Sequence, residues 1–232
     1  MLWKQKKFPD KEQLLEQRLS KIETMYDAVA KEWAEAFRDE HDRKPKDRQI
    51  LDRFAQKIGD RRPVWDFGCG PGNTAQYLKE RGIEISGLDL SENILDEARR
   101  CHPAIDFRKG DMLDLDFGND SLAGVVAFYA IVHFTEAQVE TVFREVYRVL
   151  QPGGLFLLTY HIGGETMHLD EFLGRKIDID FMFFTTGFIY GCLDACGFVT
   201  IETIEREPYR GVEYESRRAY VFAEKPTART SS

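Results

Sequence analysis

Residues Val64-Trp65-Asp66-Phe67-Gly68-Cys69-Gly70-Pro71-Gly72 constrain this chain more than any other stretch. An apolar run containing one acid meets glycines at 68, 70 and 72, and a helical pattern starts at Asn73. A strand that turns at once into a helix is the opening unit of a parallel sheet, and such sheets bind ligands at the carboxyl ends of their strands. Glycine suits that turn because a side chain would hold a ligand away from the backbone. A dinucleotide turn has a small residue three places after its second glycine. Asn73 stands there instead, which argues against a nicotinamide-dependent oxidoreductase. A tight turn that binds nothing is the plain alternative.

Beyond Pro63, β-prone runs alternate with helical patterns. Strands are predicted near Val64–Phe67, Glu84–Leu88, Ile105–Arg108, Ala123–Tyr129, Gly154–His161, Val199–Arg206 and Arg218–Ala223. Helices are predicted near Asn73–Arg81, Glu92–Cys101, Glu136–Leu150 and Thr186–Cys196. This alternation predicts an α/β fold, a parallel sheet covered on both faces. The last two strands follow each other through a polar connection, so they are expected to form a hairpin at one edge. Before Pro63 the grammar is purely helical. Leu15, Leu19, Ile22, Tyr26, Val29 and Trp33 draw one apolar stripe along residues 10–38, and a second helix covers about Asp47–Ile58.

Two further acids follow β-prone runs: Asp89 in Gly87-Leu88-Asp89-Leu90, and Asp111 in Lys109-Gly110-Asp111-Met112. An acid about 20 residues past a glycine turn can bind ribose hydroxyls. A carboxylate beside an apolar side chain can accept the exocyclic amine of adenine. The bland readings are a helix cap for Asp89 and a turn aspartate for Asp111.

In this order the three segments resemble the class I S-adenosylmethionine-dependent methyltransferases. The resemblance also rests on Val125–His133 and Leu150-Gln151-Pro152-Gly153-Gly154. Tyr26–Trp33 is similar to the lid helix of the small-molecule branch that includes the quinone-biosynthesis methyltransferases (type 11). The resemblance implies a Rossmann-like, doubly wound sheet of seven mostly parallel strands with a terminal antiparallel hairpin. It implies a helical lid over residues 1–60, a cofactor-binding catalytic domain over 61–226 and a flexible tail at 227–232. It also implies S-adenosyl-L-methionine as cofactor, with S-adenosyl-L-homocysteine as its product. Asp66 would face the methionyl amine, and Gly68 and Gly70 would let backbone meet the methionyl part. Asp89 would hold the ribose. Leu90 and Met112 would sandwich adenine while Asp111 reads its amine. Ala127 and Phe128 would border the sulfonium, and Tyr26 and Trp33 would close over the carboxylate end.

A sulfonium methyl is already activated, so a base is needed only if the acceptor must lose a proton. His133 and His161, each just past a predicted strand, are the candidates. The segment 161–184 lies on the ligand edge of the sheet, where an insertion can cover a site. Phe172, Phe181, Phe183 and Phe184 can wall an apolar pocket there, with Glu165, His168 and Arg175 as polar fixtures, or the phenylalanines can simply fill core. The expected reaction is methyl transfer to an O, N or S atom of a small, partly apolar metabolite. A cofactor-binding regulator without turnover is the alternative outside catalysis.

Composition narrows the partners. There are 32 Lys+Arg against 40 Asp+Glu, with 14 and 13 of these in residues 1–60, and no basic stripe stands out for nucleic acid. No apolar run approaches the roughly 20 residues of a membrane helix, and residues 1–7 hold no leader-like apolar core. Cys69, Cys101, Cys192 and Cys196 form no metal spacing with the five histidines, so no metal and a reducing cytoplasm are expected. A monomer or homodimer is expected.

Overall fold

The computed structural model describes residues 11–227. Three helices come first: α1 (Lys11–Ala36), α2 (Glu40–Arg43) and α3 (Pro45–Ile58). An alternating body follows: β1 (Val64–Phe67), α4 (Asn73–Lys79), β2 (Ile85–Asp89), α5 (Glu92–Cys101), β3 (Phe107–Lys109), β4 (Leu122–Phe128), α6 (Glu136–Val149) and β5 (Leu150–Ile162). Then come β6 (Thr166–Phe172), β7 (Arg175–Met182), α7 (Thr186–Cys196), β8 (Val199–Arg206) and β9 (Arg217–Glu224). All but Thr227 of the predicted tail at 227–232, and the start of the predicted first helix, lie outside the described residues.

Seven strands form one sheet in the order β3-β2-β1-β4-β5-β9-β8. The first five run parallel, and β9 is antiparallel to both β5 and β8. The central strands read as unbroken apolar runs because both faces are covered; every residue of β1 is buried. On one face α3, α4 and α5 pack Ile50, Phe54, Leu78 and Leu95 against Val64, Val126 and Leu157. On the other, α6 and α7 pack Val142, Phe143 and Leu193 against Val125, Phe156 and Val221. Side chains alternate between faces along each strand, so Val125 and Val126 belong to different layers. Local signals set the helix starts. Thr135 and Gln138 form a reciprocal capping box at α6, and the Ser91 side chain accepts from the Ile94 amide at α5.

The expected helical cap divides in two. Helix α3 is part of the sheet's covering layer. Helix α1 instead builds a small separate core, with Ile22, Met25 and Val29 against Ile179 and its neighbours in β6 and β7. These two strands form their own antiparallel sheet. Their turn, Leu173-Gly174, has φ of +50° and +76°, the hand that matches the strand twist of a two-residue hairpin. The hairpin thus sits where an insertion was expected, but as ordered strands. No helix among the described residues is long and apolar enough to cross a membrane.

Candidate active site

The glycine turn is strapped to the neighbouring strand. The amides of Gly68 and Cys69 both donate to the Leu88 carbonyl, at 2.7 and 3.0 Å. Gly68 has φ +65°, and a Cβ there would come within 2.6 Å of the Ala130 Cβ. A side chain is therefore excluded by both conformation and space. The Gly70 amide donates to Asp89 Oδ2 at 2.9 Å, and Ser91 N donates to Oδ1 at 3.1 Å. Burial raises the pKa of Asp89, and these amides pull it back. Asp111 accepts from the Leu113 amide at 2.8 Å, and its pKa is also raised, chiefly by burial.

Asp66 is different. It is 1% exposed, and neither carboxylate oxygen has a hydrogen-bond partner among the described residues. Burial first, and the Asp89 charge second, push its pKa well up; the Ala75 amide opposes them only in part. A buried carboxylate without a partner costs stability, so the site carries an unmet demand for a donor or a cation.

These groups line one cavity of about 780 Å3. It runs along the carboxyl ends of the strands, across the point between β1 and β4 where the strand order reverses. Of the sequence-predicted residues, Tyr26, Trp33, Asp66, Gly68, Gly70, Asp89, Leu90, Asp111, Met112, Phe128, His133 and His161 line it together. So do Phe172, Phe181 and Phe183.

Helix α1 supplies the roof. Tyr26 and Trp33 meet edge to face with centroids 5.0 Å apart, and Trp33 contacts Phe172 of the hairpin at 5.3 Å. The Tyr26 hydroxyl lies 2.7 Å from His133 Nε2, and His133 Nδ1 lies 2.9 Å from the Asp180 carbonyl. A carbonyl can only accept, so Nδ1 carries the hydrogen and Nε2 accepts from Tyr26. Burial pushes the His133 pKa down to about 4, and burial followed by Asp89 raises that of Tyr26. His161 is also held neutral, pushed down to about 3 by burial and then by the Arg218 charge. Its Nδ1 sits 2.7 Å from Ser216 Oγ.

Five sequence expectations are corrected. Ala127 is fully buried under α6 and α7, because alternation along β4 turns Phe128, not Ala127, to the cavity side. Phe184 is core, stacked on Phe188 at 5.7 Å. Glu165 folds back onto the Gly164 amide at 2.9 Å. His168 lies on the solvent side of the hairpin, 2.8 Å from Asp180 Oδ1. In β6 it is Met167 and Leu169 that face the cavity, as the period of two requires. Arg175 pairs with Glu32 of α1 at 2.7 Å, outside the cavity.

Sequence reasoning missed other lining groups: Phe37, Lys44, Tyr129, Ala130, Val212 to Tyr214, and Arg218. Tyr129 has φ +57°, a conformation that nothing in its residue type announces. Lys44 looks like an ordinary lysine between two helices, yet it is buried and paired with Glu40 at 3.0 Å.

Comparison with known proteins agrees with this geometry. A methyltransferase domain family matches residues 64–154, from β1 into β5. An uncharacterized methyltransferase of Synechocystis is 36% identical over 95 residues, 41% of this chain and 45% of that protein. A malonyl-[acyl-carrier protein] O-methyltransferase of Enterobacter lignolyticus is 34% identical over 96 residues, 41% of this chain and 38% of that protein. The chain thus spans less than half the length of these curated relatives. The solved structure of a SAM-dependent methyltransferase from Methanosarcina mazei superposes with a TM-score of 0.68 at 16% identity, covering 75% of this chain and 97% of that one. At that identity the likeness speaks for the fold alone. The residues matched by this methyltransferase domain family hold the glycine turn, Asp89 and Asp111, and lie beneath the cavity at the switch point of the seven-stranded sheet.

Proposed function

We propose that this chain transfers the methyl group of S-adenosyl-L-methionine to an oxygen, nitrogen or sulfur atom of a small, partly apolar molecule. The observation that carries the reading is Asp66. An unpartnered, buried carboxylate at the end of β1, beside a turn whose glycines leave the backbone open, fits a ligand that brings a cationic amine. Asp89 would take the ribose hydroxyls. Asp111 would take the adenine amine, between Leu90 and Met112. Phe128 and Ala130, rather than Ala127, would border the sulfonium. The cofactor supplies an activated methyl group; alignment and exclusion of water are left to the protein.

Tyr26 and Trp33 exclude water from above. His133 holds the Tyr26 hydroxyl in place and, with both ring nitrogens engaged, has no free atom for an acceptor's proton. His161 keeps Nε2 without a hydrogen-bond partner among the described residues and is the group placed to contact an acceptor's hydroxyl and pass its proton on to water. Four free cysteines suit the proposed cytoplasmic setting. Residues 61–226 would carry the transfer site, with the helices of 1–60 as its cover and flank.

Titration calorimetry with S-adenosyl-L-methionine tests the reading. Saturable binding that is lost in Asp66→Asn is expected. Absence of binding at millimolar cofactor would overturn it. Appearance of S-adenosyl-L-homocysteine in a metabolite extract would separate turnover from mere binding.

A further inference from the structure

The cavity continues past the cofactor-sized end to β5 and the 207–216 loop. Four rings line that far end in a row. Tyr129 and His161 have centroids 5.2 Å apart, His161 stacks on Phe183 at 5.2 Å and 22°, and Phe183 meets Tyr214 at 5.9 Å. Tyr214 is 53% exposed while lining the cavity, an aromatic surface left open at the mouth. Rings of this kind take flat partners against their faces or edges.

The charges at this end are already spoken for. Lys44 is bound by Glu40 at 3.0 Å. Arg218 is bound by Glu213 at 3.1 Å, and Arg206, behind them, by Asp47 at 2.9 Å and by Glu213. A carboxylate, phosphate or ammonium brought here would lose its water and meet no unpaired counter-charge. The unpartnered carboxylate of the cavity, Asp66, lies at the other end. Among the far-end groups, His161 keeps one ring nitrogen, Nε2, without a hydrogen-bond partner among the described residues, because Ser216 engages only Nδ1.

We infer that the methyl acceptor is an uncharged, planar molecule bearing a hydroxyl, with its ring along Tyr129, Phe183 and Tyr214 and its hydroxyl on His161 Nε2. The inference rests on the methyl-transfer reading of the cavity. The acceptor oxygen forms the new O–CH3 bond, the pair of the breaking C–S bond stays on the sulfur of the sulfonium donor, and the hydroxyl proton leaves through His161 Nε2 to water. His161 is a contact for the hydroxyl and not a reservoir for its proton, since burial keeps the ring neutral.

Three planar probes, titrated by quenching of the protein's own fluorescence, test this: 7-hydroxycoumarin, coumarin, and 7-hydroxycoumarin-3-carboxylate, at about pH 6 so that the phenolic hydroxyls stay protonated. The hydroxycoumarin is expected to bind at least about tenfold more tightly than its carboxylate. His161→Phe keeps a ring against Phe183 and should bring hydroxycoumarin down to the affinity of coumarin. Glu40→Gln leaves the Lys44 ammonium unpaired and should raise the affinity of the carboxylate about tenfold or more. Equal or tighter binding of the carboxylate by the unaltered protein, no binding of any probe, or a hydroxyl preference that survives in His161→Phe would each overturn the inference. The probes report the far end without cofactor. A failed cofactor titration therefore overturns the methyl-donor reading and, with it, the acceptor role, whatever the probes do; a failed probe series beside intact cofactor binding overturns the acceptor inference alone.

Discussion

Asp66→Asn is expected to improve the empty protein and damage cofactor binding. The carboxyl group is 1% exposed, with both oxygens unpartnered, and its pKa is raised well above the ordinary 3.8. In the folded state it therefore binds a proton that the unfolded chain has released. Stability falls as pH rises from near the unfolded value, 3.8, up to the raised native value, because the native state then holds more protons than the unfolded one. The slope reaches at most about 1.4 kcal/mol per pH unit for one proton. For a chain of this size that is about 3–5 °C of Tm per pH unit. Asparagine has nothing to titrate, so the Tm of the variant should pull ahead of wild type as pH is raised from 3.8 toward the raised native value. Binding reverses the preference. An ammonium group against Asp66 favours its charged form, so below the raised native pKa cofactor binding should release a proton, visible as a dependence of calorimetric enthalpy on buffer. Losing one partner of such a buried pair costs about 2–5 kcal/mol, or roughly 30-fold to several-thousand-fold in Kd. Thermal shift across pH, with and without cofactor, reads both halves. Parallel Tm curves for variant and wild type, with cofactor affinity unchanged, would refute the argument.

Three smaller tests probe the rest of the site. Asp89→Ala should weaken the cofactor by about 1–3 kcal/mol, as for a lost charge-assisted hydrogen bond; calorimetry that finds the affinity unchanged would remove Asp89 from the ribose. Gly68→Ala should destabilise the fold by about 1–3 kcal/mol, since its Cβ would meet Ala130 at 2.6 Å at a positive φ; urea unfolding checks it. His133 and His161 are neutral when folded, with pKa values down to about 4 and about 3. The unfolded chain binds more protons below about pH 6.5, so their contribution is complete above that value and is lost as pH falls toward the folded pKa values. His161→Phe should flatten the acid side of the Tm profile, and an unchanged profile would count against the buried neutral histidine.

The sheet was legible because its strands carry their own signal. Leu122–Phe128 and Leu155–Leu158 are apolar without alternation, the mark of strands covered on both faces. The turn at Gly68 was legible because no other residue type suits its φ and its neighbour. The hairpin β6–β7 was less so, because a segment rich in both phenylalanine and acid reads equally as lid loop or core. Its strict alternation, Met167 and Leu169 inward against His168 and Asp170 outward, was present in the sequence. Applied there, the period of two would have removed His168 from the pocket. Tyr26 with His133, and Lys44 beside Tyr129, were beyond reach for another reason. Their contacts join positions about 80 to 110 residues apart, and no local pattern encodes such a pairing.

The order of the strands then converts sequence into an oriented site. Asp66, Asp89 and Asp111 stand at or just past the ends of β1, β2 and β3, which are neighbours in that order. Adjacent strands lie about 4.8 Å apart, so three acids spread over 45 residues of sequence become a row about 10 Å long on one side of the switch point. Phe128, Ala130 and His161 stand at or just past the ends of β4 and β5, on the other side. An extended ligand laid along the acid row, with its cationic amine at Asp66, has its far end at Asp111 and its reactive centre near the junction of β1 and β4. An acceptor seated at β5 would approach that centre from the opposite direction. Such an approach is what displacement at a sulfonium methyl demands, with nucleophile, carbon and sulfur in line. The row also gives the charges their sense. The acids crowd the half assigned to a ligand with a cationic centre and many donors, while the cations of the other half are neutralised within the protein before any acceptor arrives.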